Sequence, residues 1–137
     1  MTNGSLAESY LTKVTKQLKI LPILLDDEAY SNVVREAQEI VERALKGMLR
    51  QVGMEPPHWH DVGRFVREQR HRFAAVSDDE IERLTAVSSA LRKERELAFY
   101  GAIDFIPTDQ YTREQARRAM DDAAWVVSVA ERVISRG

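Results

Sequence analysis

The chain has no cysteine. That single absence removes disulfides, thiolate nucleophiles and Cys-ligated zinc, and it fits a cytosolic protein without requiring one. Long apolar runs are missing as well. A bilayer-spanning helix needs about 18–20 consecutive apolar residues, whereas Ile20-Leu-Pro-Ile-Leu-Leu25 is six residues long and broken by Pro22. The N-terminal Met-Thr-Asn-Gly-Ser has no basic stretch leading into an apolar one, so it does not read as a secretory signal. A cytoplasmic protein without membrane association is the expectation. Excess charge of one sign is also lacking: a net charge of −2 gives no global attraction for a polyanion, so any nucleic-acid site must be a local patch. The sequence holds no Gly-rich phosphate loop, no Gly-x-Ser-x-Gly elbow and no paired carboxylates of the glycosidase kind. Ser88 and Ser89 have no neighbouring base to mark them as nucleophiles.

What is present is helical periodicity. At 137 residues, 44% apolar and 31% charged, the chain fits one soluble domain spanning residues 1–137. Five helical segments are expected. Ser5-Leu-Ala-Glu8 reads as a capping box opening a first helix to about Lys19, with Leu6, Tyr10, Val14 and Leu18 along one face. Asp26 and Asp27 supply a capping acid for a second helix. Its stripe of Tyr30, Val33, Val34, Ala37, Val41, Ala44, Leu45, Met48, Leu49 and Val52 ends at Gly53 and Pro56-Pro57. A short third helix covers about Asp61 to Arg72. Ser77-Asp-Asp-Glu80 opens a fourth that runs to Tyr100, with Ile81, Leu84, Ser88, Leu91, Arg95 and Ala98 on one side. Thr112-Arg-Glu-Gln115 opens a fifth to about Ser135, striped by Ala116, Ala119, Met120, Ala123, Val127, Ala130 and Ile134. No segment alternates with a period of two. The expectation is an all-α, up-and-down bundle of four to five helices.

Three constellations are candidate sites. The end of the fourth helix places Arg95 on its buried side, then Tyr100 and a glycine stop at Gly101. His58 and His60 stand two apart beside Asp61 in a loop. A metal normally needs three or four ligands, so capping of the third helix by His60 or Asp61 is the favoured reading. Arg64, Arg67 and His71 share a face of the third helix, near Trp59. Such a stripe suits phosphates and a stacked base, but a solvated face paired with acids is the commoner outcome. Gly47, inside the second helix next to Lys46, costs roughly 1 kcal/mol against alanine and points to close approach of another helix or a ligand, helix contact being the favoured reading.

The second helix, Tyr30 to Arg50, its continuation Gly53-Met-Glu-Pro-Pro-His-Trp-His-Asp-Val-Gly63, and the segments Arg92–Gly101 and Tyr111–Ala116 resemble the HEPN family in type and order, over about residues 5–135. The resemblance implies a bundle that is often a homodimer, binds nucleotides or RNA, and in many members is a metal-independent ribonuclease. Prokaryotic members commonly pair with a minimal nucleotidyltransferase in a toxin–antitoxin arrangement. No cofactor or metal is implied. The family's catalytic signature is an arginine, often a polar residue after it, and a histidine after four to six intervening positions. Carried onto this chain, Arg95 takes the arginine position and Glu96 the polar one, while Tyr100 stands where histidine belongs. Histidine, with an ordinary pKa near 6.5, suits both proton transfers of RNA cleavage; tyrosine, near 10, is a poor base at neutral pH. On an ideal helix Arg95 and Tyr100 also lie about 140° apart, so they converge only if the last turn unwinds near Gly101. The expectation is therefore a nucleotide- or RNA-binding protein with an altered ribonuclease centre, its ligand held by Arg92, Arg95, Glu96 and Tyr100. The alternatives are an active endoribonuclease toxin that uses Arg95 and Tyr100, and a non-binding protein-interaction module.

Overall fold

The helix with the widest apolar stripe becomes the centre of the fold. In a computed structural model, which describes residues 2–58, 61–99 and 111–135 and omits the side chains of 95–99 and 135, α3 (Tyr30–Gln51) packs against every other helix. Val33, Val34, Ala37, Val41, Ala44, Leu45, Met48 and Leu49 are all buried, as the periodicity requires. Ile40 and Gln38, outside the expected stripe, are buried too. The reason is that α3 is covered from several sides: α1 (Asn3–Leu18), α5 (Asp78–Phe99) and α6 (Arg113–Ser135) all lie on it.

Anchor points fix the directions. Gly47 near the end of α3 meets Tyr10 of α1 and Ile134 of α6, while Val34 near its start lies by Leu91 of α5 and Ala119 of α6. Helices α3 and α6 thus run parallel. Helix α5 opposes α6, with Glu80 beside Arg132 at one end and Glu94 beside Tyr111 at the other. With α1 returning through α2 onto α3, the order is up-down-up-down. The described residues contain no strand, and none of their helices is long and apolar enough to cross a membrane.

Local signals were read correctly in three places and wrongly in two. The Ser77 box closes reciprocally, with the Ser77 N–H donating to Glu80 Oε1 (3.0 Å) and the Glu80 N–H to Ser77 Oγ (3.1 Å). The Thr112–Gln115 box closes likewise, at 2.9 and 3.1 Å. Asp61 caps α4 (Val62–Glu68), its Oδ1 accepting from the N–H groups of Gly63 and Arg64. The expected box at Ser5, however, starts three residues earlier: Thr2 is the N-cap of α1 and Ser5 its reciprocal partner. Asp26 and Asp27 do not cap α3. Pro22 sits in the first turn of an additional helix, α2 (Leu21–Asp26), where its missing N–H costs nothing, so the chain makes another turn before α3. Asp27 ends α2, Glu28 takes φ +60°, and Ala29 is the N-cap of α3 but offers no side-chain cap. The third predicted helix is also shorter than expected, giving way to a 3₁₀ turn at Arg70–Arg72.

The seam between α4 and α5 depends on a missing side chain. A Cβ on Gly63 would lie 2.7 Å from Ser88 Cβ and 2.8 Å from Ser88 Oγ, too close for either to stay in place. Gly63→Ala is expected to cost about 1–3 kcal/mol of stability. Urea unfolding of Gly63→Ala, Ser88→Gly and the double variant checks this: the two substitutions should couple, and additive effects would mean that the contact is not responsible.

Candidate functional site

The end of α5 carries the predicted site residues. Arg92 is half-buried and already engaged in an interaction of its own. Arg95 and Glu96 belong to the continuous helical backbone, which persists through Phe99, but their side chains lie outside the described residues. Tyr100 and Gly101 lie outside them as well, so the convergence of Arg95 with Tyr100 concerns residues beyond the description.

Helix phase separates Arg92 from a cleft beside α5. Glu94 follows Arg92 by two residues, which places them roughly 160° apart around the helix. Glu94, with Ala90 and Leu91, faces α6 across a cleft of about 230 Å³ whose floor includes Val34. Arg92 is not among the residues lining it. The cleft exists because α5 packs mainly on α3 and α4 and touches α6 sparsely, and because Ala90 and Ala119 present only methyl groups where the two helices pass.

From α6 the cleft receives Gln115, Arg118 and Asp122, and from the segment just before that helix it receives Tyr111. Tyr111 is buried and its hydroxyl donates to the Glu94 backbone carbonyl at 3.3 Å. Burial first, then the Glu94 charge and a hydrogen bond to the Glu94 side chain, push the phenol up to about 12, so Tyr111 is a neutral group at physiological pH and not a base. Gln115 spends its Oε1 on the Thr112 N–H, which leaves its Nε2 as the end of the amide able to donate to the cleft. Burial pushes the Asp122 carboxyl up. The nearby Arg83 and Arg118 charges oppose that shift and Asp121 adds to it. Arg83 itself is held over the Trp125 ring, 3.9 Å from its centroid.

None of these cleft residues was singled out from the sequence. Gln115, Arg118 and Asp122 fall at i, i+3 and i+7, a polar stripe beside the alanine stripe of α6, and Tyr111 stands just ahead of that helix. That spacing was legible; what it faced was not.

Arg64 and Arg67 of the basic stripe are taken up by acids, the commoner of its two expected outcomes, while His71 is exposed in the 3₁₀ turn. Arg64 pairs with Glu68 (3.5 Å) and Arg67 with Glu82 (3.4 Å). Arg70 bridges Glu82 (2.7 Å) and Asp78 (3.3 Å), and those partners, Glu82 foremost, raise its pKa further. These three arginines line an open groove of about 540 Å³ with Asp61, Glu68, Thr85 and Ser89, and each of them already has an acidic partner. Trp59 and His60 lie outside the described residues, and His58 is exposed. Among the described residues no group of three or more His, Asp and Glu side chains is placed to hold a metal. Gly47 is explained by helix contact: a Cβ there would sit 3.1 Å from Tyr10 Cβ and 3.2 Å from Ile134 Cδ1.

No curated protein and no solved structure matches the chain. The family model of the HEPN domain matches residues 7–133, which takes in α3 and α5 whole, most of α1 and almost all of α6. The fold described above is the helical bundle such a domain requires. The chain belongs to the HEPN domain family.

Proposed function

We propose that the protein is a nucleotide- or RNA-binding HEPN module whose ribonuclease centre is altered. Family membership supports the ligand class, since HEPN domains are typically nucleotide- or RNA-related. The observation that carries the location is the unbroken course of α5 to Phe99, which sets Arg92 and the positions of Arg95 and Glu96 at the same end of the bundle as the α5–α6 cleft. In this reading Arg95 neutralises a phosphate, Tyr100 donates a hydrogen bond or stacks on a base, and Glu96 orients Arg92 or a ribose hydroxyl. A homodimer brings two such ends to one groove, and a minimal nucleotidyltransferase is the partner protein. Tyr100 in place of the motif histidine removes the group that would exchange protons near neutral pH.

Titration with mononucleotides, alongside long incubation with a short RNA, tests this reading. Wild type should bind, Arg95→Ala should lose about tenfold or more, as expected for a charge-assisted contact, and the RNA should be recovered intact. RNA cleavage abolished by Arg95→Ala would instead establish the ribonuclease.

A further inference from the structure

The α5–α6 cleft has a hydrogen-bonding character that the family assignment does not explain. Two carboxylates, Glu94 and Asp122, present acceptors, and only one cation, Arg118, joins them among the lining residues, so the lining carries a net negative charge. A phosphate is the wrong ligand for such a wall. Gln115 adds an amide whose oxygen is already spent on Thr112, so it donates. The Tyr111 hydroxyl is spent on the Glu94 carbonyl, so its oxygen can only accept. The cleft therefore offers acceptors from Glu94, Asp122 and Tyr111 and donors from Gln115 and Arg118, above an apolar floor that includes Val34 and Leu91. At about 230 Å³ it is smaller than the roughly 300–1,000 Å³ of sites for drug-sized ligands, which limits it to one flat fragment.

We propose that this cleft is a base pocket selective for guanine. The inference rests on the reading above that the ligand is a nucleotide or RNA. Guanine carries two adjacent N–H donors, N1–H and the N2 amino group, which a carboxylate accepts side by side. Its O6 and N7 are acceptors, the pair that an arginine meets in bidentate fashion. Adenine turns the lone pair of N1 toward the carboxylates, and uracil offers a single N–H between two carbonyls, so both leave half-buried acceptors unpaired. The mismatch penalises them more strongly than any lost attraction would. The sugar and phosphate remain on the open side, away from Glu94 and Asp122.

Equilibrium binding of GMP, AMP, CMP and UMP to the full chain at one ionic strength tests the proposal. GMP should bind tighter than AMP by about tenfold or more, the order that one bidentate base contact contributes. Glu94→Gln and Asp122→Asn should each bring GMP toward the AMP affinity and leave AMP nearly unchanged. Ala90 lines the cleft from an exposed position, so Ala90→Phe should occlude it, abolish the preference and preserve the helical circular dichroism. Equal affinities for the four nucleotides, or a GMP preference untouched by Ala90→Phe, would overturn the pocket and leave the nucleotide-binding reading standing. Absence of binding by every nucleotide would overturn both. Binding of agmatine with none of GMP would also overturn it, giving the cleft to a cationic group.

Discussion

Gly47→Leu is expected to lower the stability of the protein by about 3 kcal/mol or more, a loss of roughly 10 °C in Tm for a chain of this size. The position is where three helices meet. Tyr10 of α1 and Ile134 of α6 both lie within 3.2 Å of where a Cβ would stand, and the backbone oxygen of Ala7 is 3.7 Å away. A leucine therefore has to part α1 and α6 from α3, and those are the contacts that bury Ala7, Leu45, Met48 and Ala130. Alanine behaves differently. Its single methyl asks two neighbouring side chains to give by a few tenths of an ångström, and the helix gains about 1 kcal/mol of propensity over glycine. Gly47→Ala should thus fall within about 1 kcal/mol of wild type. Urea or thermal unfolding followed by circular dichroism separates the two. Equal effects of alanine and leucine would mean that Gly47 is not a packing residue, and would reopen it as a ligand contact.

The second large effect concerns Glu80, which does two jobs at the start of α5. One carboxylate oxygen closes the capping box with the Ser77 N–H, and the carboxylate as a whole takes a forked contact from Arg132 of α6. Arg132 also donates to the Ala75 carbonyl, so the pair ties the α4–α5 loop to the last helix. The Arg132 hydrogen bond first, then the bond from Ser77, holds the Glu80 carboxyl at about 2 against an ordinary value of 4.5. A carboxyl whose folded-state pKa is depressed stabilises the fold above its unfolded value and loses that contribution as pH falls through the folded one. The contribution is thus complete above about pH 5, shrinks below pH 4.5 and is gone below about pH 2. Glu80 and Arg132 are partly exposed, so water screens the pair. Glu80→Gln is expected to cost about 1–2 kcal/mol at pH 7 and almost nothing at pH 2. Chemical unfolding of the two proteins from pH 7 to pH 2 should show their stabilities converging. A difference that stays constant across that range would assign the cost to lost packing or capping and not to charge.

The bundle was legible because its information is local. Period-four stripes, two closed capping boxes and the Asp61 cap set α3, α4, α5 and α6 to within a few residues. The errors share one physical cause, competition between two local signals. Pro22 is a residue that ends or bends a helix, yet the first turn of a helix tolerates it, so α2 formed and displaced the expected cap at Asp26 and Asp27. At the N-terminus Thr2 and Ser5 formed the box that was expected to begin at Ser5. The candidate site was less legible. The Arg95 motif is a spacing within one helix and can be read in sequence order. The cleft joins Glu94 to Tyr111, Gln115, Arg118 and Asp122, which meet only because α5 and α6 run antiparallel over Val34. A stripe at i, i+3 and i+7 marks a helix face, but the sequence does not say that the opposing residues of α5 are an alanine, a leucine and a glutamate. Arg64, Arg67 and Arg70 illustrate the converse: conspicuous basic residues whose charge is answered by Glu68, Asp78 and Glu82.

The most direct test of the account is fluorescence anisotropy of a labelled short single-stranded RNA titrated with wild type and with Arg95→Ala at matched salt. The account predicts saturable binding by wild type, a loss of about tenfold or more in the variant, and RNA of unchanged length at the end of the titration. Identical curves for the two proteins would contradict it.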